Sequence, residues 1–160
     1  MIKRAAYQDL ASILSIYEVA RTYMRQNGNP DQWGDAYPPL NMVEADLRKE
    51  QLYICKEGDV IHGVFALVFG EDPAYAVIEQ GDWLNEEPYG TIHRVAADGR
   101  MKGMFHQCAG FCKKQIMNLR IDTHCDNKTM QHVIEKEGFI KCGIIHMEDG
   151  SPRIAYQYIG

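Results

Sequence analysis

Nowhere does the sequence hold the roughly 20 consecutive apolar residues that a membrane-spanning helix requires, so no such helix is expected. Met1-Ile-Lys-Arg4 leads into Asp9 and a periodic segment without the apolar core or cleavage pattern of a secretory leader, which makes the cytoplasm the expected location. Basic residues are in short supply: 17 Lys and Arg face 22 Asp and Glu, a formal net charge of −5. That balance argues against a general nucleic-acid binder, although a local basic patch is compatible with it. Cysteines number five, an odd count scattered through regular segments, and read as thiols, not as a disulfide framework. Neither a CxxC pair nor an HExxH signature accompanies the six histidines. The spacing His106-x-Cys108-x3-Cys112 puts both cysteines on the apolar side of a helix, so no metal site is expected. Repeats, low-complexity tracts and linkers are missing too. What remains is one globular domain over residues 1–160, long enough to bury a sizeable core.

Leu10, Ile13, Leu14, Tyr17 and Met24 recur at helical spacing and predict a helix from about Gln8 to Arg25, stopped by Asn27-Gly28-Asn29-Pro30. After an irregular, aromatic-rich stretch over residues 31–39, Asn41 and Glu44 read as a capping box for a short helix to about Glu50. Strands over Leu52–Glu57 and Val60–Phe69 flank Gly58-Asp59, a two-residue hairpin turn. Further strands are predicted over Ala74–Glu79 and Tyr89–Ala96, separated by the acidic excursion Gly81–Pro88. A helix beginning near Gly103 is followed by a strand over Leu119–His124 and a helix from about Asn127 to Glu137. Asp126 can cap that last helix, and Gly138 suits the left-handed position at its end. Phe139–Met147 and Arg153–Tyr158 are the final strands. Hairpins must pair antiparallel while strand–helix–strand units favour parallel pairing, so the expected class is α/β with a mixed sheet.

The chemistry concentrates in Arg100-Met101-Lys102-Gly103-Met104-Phe105, a basic, glycine-containing turn between a strand and a helix. The first N–H groups of a helix lack intrahelical partners and the helix dipole favours negative charge there. Arg100 and Lys102 add two cations, and Gly103 allows close backbone approach. Such a turn suits a phosphorylated ligand held mostly by backbone.

In this order of elements, the chain resembles the GNAT superfamily of acyl-CoA-dependent N-acetyltransferases. Arg100 and Gly103 match the first two defined positions of that family's (Gln/Arg)-x-x-Gly-x-(Gly/Ala) phosphate loop, and Phe105 breaks the third. Leu119-Arg-Ile-Asp-Thr-His-Cys-Asp-Asn127, followed by Glu135-Lys-Glu-Gly-Phe139, is similar to the family's fifth strand, Asn-initiated helix and Lys-x-Gly-Phe ending. Ile2–Leu10 looks like its customary first strand and helix start. The resemblance implies a GNAT-like acyl-CoA N-acyltransferase fold, a mixed central sheet with helices on both faces. It also implies acetyl-CoA as co-substrate, without a metal. Its pantetheine arm would lie between splayed fourth and fifth strands, against Val95 and Ala96. Arg100, Lys102, Gly103, Met104 and Phe105 would then wrap the pyrophosphate, and Asn127 would bond the cofactor arm or simply start its helix.

An amine must be neutral to attack an acyl group, so a base is required. Asp122 sits where ribosomal-protein alanine acetyltransferases of this superfamily often carry a Glu base, although pairing with Arg120 would explain it as well. His93 is a second candidate, because imidazole ordinarily titrates near neutrality; strand alternation would put it on one face with Thr91 and Val95. Glu79 is a third. The position where many relatives carry a Tyr acid is Ile134, which cannot donate a proton; Tyr156 and Cys125 are substitutes to consider. By the same resemblance, the loop between the first two helices walls the acceptor site and singles out Trp33, Tyr37 and Asp35. Trp83 and Glu86-Glu87 could form the opposite wall. The expected activity is direct acetyl transfer to a primary amine of a small molecule or peptide, in a ternary complex. The rival expectation is a non-catalytic CoA-binding module on the same fold. Neither nucleic acid nor membrane is an expected partner, and exposed hairpin edges near the C-terminus could pair in a homodimer.

Overall fold

Gly58 adopts φ +61°, the conformation that a two-residue turn needs at its first central position, and Glu57 pairs with Val60 across it. The computed structural model describes all 160 residues. Its elements are β1 (Ile2–Arg4), α1 (Leu10–Gln26), α2 (Leu40–Arg48), β2 (Leu52–Glu57), β3 (Val60–Phe69), β4 (Gly90–Ala97), α3 (Met104–Gln115), β5 (Asn118–Thr123), α4 (Lys128–Lys136), β6 (Ile140–His146) and β7 (Pro152–Ile159). The seven strands lie in the order β1-β2-β3-β4-β5-β7-β6, antiparallel at every step except β4–β5. No helix is long and apolar enough to cross a membrane.

Ile13, Ile16 and Tyr17 of α1 join Val43 and Leu47 of α2 against Ile54, Val64 and Ala66 on one sheet face. On the other face Phe105, Cys108 and Cys112 of α3 and Ile134 of α4 pack onto Phe65, Leu67 and Ile121. Each strand therefore reads out to two apolar layers, as a sheet covered on both faces should. The far half, β5-β7-β6, is covered on the α1/α2 side by the long connection between β3 and β4, which buries Tyr75 and Tyr89 against Ile145 and Ala155.

One irregularity shapes the molecule. Ala66 pairs with His93 and Val64 with Ala96, so Phe65 on β3 faces two residues, Arg94 and Val95, on β4. Arg94 takes φ +52° to make this bulge, a conformation unfavourable for a bulky side chain. Its guanidinium compensates by gripping Asp46 of α2 bidentately, Nε to Oδ2 at 2.7 Å and Nη2 to Oδ1 at 2.8 Å. The Tyr17 hydroxyl donates to the Arg94 carbonyl at 3.0 Å, and Gln51 Nε2 donates to Asp46 Oδ1 at 2.7 Å. A bulge bends its strand and increases twist. Accordingly β4 and β5 pair only at Gly90–Leu119 and Thr91–Arg120, then diverge. The other edge of β5 is paired with β7 from Asn118 to Thr123, so the opening faces β4 alone.

Three local expectations give way to other solutions. Ala74–Glu79 is not a strand. Asp72 caps a 3-10 turn at Pro73–Tyr75, its Oδ1 accepting from Ala74 N at 2.9 Å, and the chain then pairs with β6 through the single bridge Glu79–Ile144. Proline after a capping Asp is a helical start, and it overrides the strand-like composition that follows. Asn41 and Glu44 form no capping box, because α2 begins at Leu40 with Pro39 as its cap. Asp126 does not cap α4; Asn127 does, its Oδ1 accepting from Met130 N at 3.0 Å. At the outer edge of β6, both Ile144 N and O are engaged by Glu79, which closes the middle of that edge to strand pairing.

The grip on Arg94 yields a direct expectation. Removing one partner of a buried, hydrogen-bonded ion pair costs about 3–5 kcal/mol, so Asp46→Ala should lower the unfolding free energy by that amount in urea titrations. A loss below about 1 kcal/mol would mean that the bulge holds without the pair.

Candidate active site

Beyond Thr91 and Arg120 the gap between β4 and β5 widens into a cavity of about 670 Å³. Its walls are Ile92–Val95 of β4, Ile121–Thr123 of β5, Trp33 and Tyr37 from the loop after α1, and Asp72 and Tyr75 from the β3–β4 connection. A second cavity of about 350 Å³ runs between Val19 and Tyr23 of α1, Val95–Gly99, and Asp126–Met130. Met24, Val95, Asn127 and Met130 line both, so the two meet at the bulge.

Two hydrogen-bonded pairs face the larger cavity. The Tyr75 hydroxyl donates to Asp122 Oδ2 at 2.6 Å. Burial pushes the Asp122 carboxyl above the usual carboxylate range, against the opposing pull of His93, Tyr75 and Arg153. Burial, helped by the Asp122 charge, raises the Tyr75 phenol well above its ordinary value, so Tyr75 holds its proton firmly. In the second pair, His93 Nε2 lies 2.8 Å from Asp72 Oδ2. That bond and the one from Ala74 N hold the Asp72 carboxyl below its ordinary value despite burial. An ionised carboxylate can only accept, so the shared proton belongs to Nε2, and Nδ1 is the ring nitrogen left to face a ligand. No protein group bonds Nδ1.

The basic turn lies past the end of β4. Gly103 takes φ +73° at the start of α3, and Gly99 takes φ +77°. The first helical bond runs from Gln107 N to Gly103 O at 3.1 Å, leaving the Met104, Phe105 and His106 N–H groups without intrahelical acceptors. Asp98 shapes the turn, with Oδ1 accepting from Arg100 N at 2.9 Å and Oδ2 2.8 Å from His62 Nδ1. The Met104 and Phe105 side chains are buried in the α3 core, so these two residues can offer a ligand only their backbone. Arg100 and Lys102 are exposed.

Asp122, His93, Val95, Trp33, Tyr37 and Asn127 thus gather around one cavity, and Ala96 lines the second. The bulge breaks the alternation expected for His93. Ile92 and Val95 both pack toward α3, whereas Ala96 packs toward α1, so His93 and Val95 face opposite ways. Asn127 caps α4 with Oδ1 and donates Nδ2 to Gln32 Oε1 at 2.9 Å, which gives it a structural task at the cavity junction. Glu79 is exposed and outside both cavities. Asp35 pairs with Arg25 at 3.2 Å, and Trp83 lies beneath its loop, donating Nε1 to Tyr75 O at 2.9 Å. Ile134 is fully buried, and neither Tyr156 nor Cys125 reaches either cavity. Asp72, Tyr75 and Arg153 were not among the expected site residues. The first two belong to the segment that reads as a turn and a strand, and Asp-Pro as a helical start was their only signal.

The whole arrangement has close structural counterparts. An acetyltransferase of the GNAT family from Streptococcus agalactiae 2603 superposes with TM-score 0.92 at 28% identity, covering 100% of this chain and 95% of that one. The chain has the GNAT fold. A putative acetyltransferase from Staphylococcus aureus Mu50 matches at 27% identity and TM-score 0.71, covering 99% of this chain and 98% of that one. At 14% identity and TM-score 0.62, the GNAT fold extends to yncA of Salmonella typhimurium, a putative acetyltransferase solved with its cofactor acetyl-CoA, with 99% of this chain and 92% of that one covered. No family model matches the sequence, and no curated protein matches it. The mixed sheet with helices on both faces is therefore the GNAT fold, and its solved relatives support acetyl transfer as the class of chemistry.

The raised Asp122 pKa has a sign that can be checked. The folded state holds this proton more tightly than the unfolded chain. Its contribution to stability is therefore present below the ordinary carboxylate range and is lost as pH rises through the raised value. Asn cannot ionise yet still accepts from Tyr75. Asp122→Asn should therefore gain stability relative to the parent between about pH 4 and about pH 7, at about 2–4 °C in Tm per kcal/mol. A Tm difference that stays constant over that range would contradict the burial argument.

Proposed function

We propose that the protein transfers an acetyl group from acetyl-CoA to a primary amine, in a ternary complex formed where the two cavities meet. The observation that carries this reading is the junction itself. An apolar groove runs from Asp98 and Gly99, just before the Arg100–Gly103 turn, to Val95 and Asn127, and directly beyond it lies a larger chamber holding Asp122 and His93. In this reading the free α3 N–H groups, with Arg100 and Lys102, hold the pyrophosphate. The pantetheine arm follows the smaller groove and the thioester reaches the junction. The acceptor amine waits in the larger chamber between Trp33, Tyr37 and Tyr75.

The acidic chamber draws in the amine as a cation, and Asp122 holds it. For attack the nitrogen must shed a proton, and His93 Nδ1 accepts it while ionised Asp72 stabilises the imidazolium. The nitrogen bonds to the thioester carbon, and backbone N–H groups of β4 left unpaired by the divergence of β5 receive the developing oxyanion. Collapse breaks the C–S bond. The thiolate leaves and is protonated by solvent or by the imidazolium, and the nitrogen releases its remaining extra proton to water as the amide forms. Tyr75 is unsuited to protonate it, because its phenol is a weaker acid than an ordinary tyrosine; its role is to fix Asp122.

Calorimetry with acetyl-CoA and a free-thiol assay over an amine panel test the reading together. Acetyl-CoA should bind, and thiol should be released with at least one amine; binding without release across the panel would favour the non-catalytic module. At Gly103 a Cβ would meet nothing within 4 Å, although φ is +73°. Gly103→Ala therefore reports about 1 kcal/mol of left-handed strain, while Gly103→Arg should in addition weaken acetyl-CoA binding about tenfold or more. Equal affinities for the two variants would remove the turn from the cofactor site.

His93→Gln should lower kcat about 10²- to 10⁴-fold, the usual worth of a general base. Asp72→Asn should lower it less and shift the pH profile, since the tautomer is no longer enforced. A His93→Gln enzyme with full kcat would assign the base elsewhere.

A further inference from the structure

Three arginines are largely buried around the cleft, and two are compensated. Arg94 is paired with Asp46, and Arg120 is sandwiched between the rings of Trp83 at 4.0 Å and Tyr89 at 3.9 Å. Arg153 is only 7% exposed, lines the larger cavity, and has neither a carboxylate within ion-pair distance nor an aromatic ring over it. It is nevertheless held firmly. Nη1 donates to Ser151 Oγ at 3.1 Å and Pro152 O at 2.9 Å, and Nη2 donates to Gln32 O at 3.2 Å. Nε–H and one further Nη2–H keep no protein acceptor, two donors of one guanidinium that a carboxylate can accept. Of the carboxylates lining the cavity, Asp122 bonds Tyr75, Asp72 bonds His93, Asp149 accepts from the Ser151 N–H at 2.9 Å, and neither Asp31 nor Glu148 forms an ion pair with Arg153.

We infer that Arg153 receives a carboxylate of the acceptor, which makes the acceptor a small zwitterionic amine of the amino-acid type. The inference rests on the acetyl-transfer reading and narrows it. Strand register sets the spacing. Asp122 pairs with Ala155, so Arg153 is its diagonal neighbour on the same face, with about 7–8 Å between the two positions. An ammonium at Asp122 and a carboxylate at Arg153 fit an amino acid, whose two charged groups are joined through one carbon. A phosphate dianion suits the chamber less well, because Arg94 is spent on Asp46 while Asp31, Asp72, Asp122, Glu148 and Asp149 line the walls.

The test uses matched pairs that differ only in the carboxylate: L-leucine against L-leucinamide and L-phenylalanine against L-phenylalaninamide in the thiol-release assay. In parallel, their N-acetylated forms are titrated calorimetrically into the CoA-loaded protein. The acid member should be preferred about 10- to 100-fold, the worth of a charged, desolvated hydrogen-bonded contact. Arg153→Gln should collapse the acid-to-amide ratio to near unity, and Arg153→Lys should restore part of it. Ratios near unity in the parent protein would overturn the inference, as would a ratio unchanged by Arg153→Gln. If acetyl-CoA fails to bind at all, the acetyl-transfer reading falls. If it binds and amides are used as readily as acids, only the carboxylate assignment falls.

Discussion

The fold depends on a strand being bent at one place and held there. Arg94 adopts a left-handed conformation inside β4, and left alone it would relax into regular pairing. The Asp46 carboxylate, itself fixed by Gln51, and the Tyr17 hydroxyl hold side chain and carbonyl from two different helices. A buried bidentate ion pair seldom adds much net stability over an apolar alternative, because desolvation consumes the Coulomb gain. Here its effect is conformational. The bend separates β4 from β5, and the cavities, their junction and the unpaired backbone of β4 all follow from that separation.

The far half of the sheet solves a different problem. Instead of a helix, the β3–β4 connection covers β5, β7 and β6, and an irregular chain must satisfy its own polar groups. Asn118 Nδ2 donates to Asn85 Oδ1, Glu87 O and Pro88 O, and Gln157 bonds Leu84 N and Asn85. Arg120 caps this network between two rings. The closeness of the layer is visible at Gly81 and Gly143, where any Cβ would collide with the backbone of Cys142 and Glu79.

The sequence was informative where a physical period repeats. Apolar patterns with cap and turn residues located every helix and six of the seven strands, the second helix through a capping box that does not form, and the Ile2–Arg4 strand followed from likeness to the family. Phe105, out of place in the phosphate-loop pattern, is buried with Cys108 and Cys112, as an apolar residue at a helix start can be. What could not be read came from tertiary contacts. Nothing in Thr91-Ile-His-Arg-Val95 announces a bulge, because the ion pair that stabilises it comes from Asp46, far away in the chain. Tyr75 and Arg153 likewise reach the site through register and loop path, and no local spacing encodes that meeting.

The tight seating of the β3–β4 connection has a thermodynamic consequence for ligand capture. Asp72 and Tyr75 are delivered by a segment whose backbone freedom is already lost when the domain folds. The entropy of arranging the two hydrogen-bonded pairs is thus charged to the folding equilibrium and not to association. Binding free energy at that wall is left to discriminate between ligands, and none is diverted into ordering the wall itself.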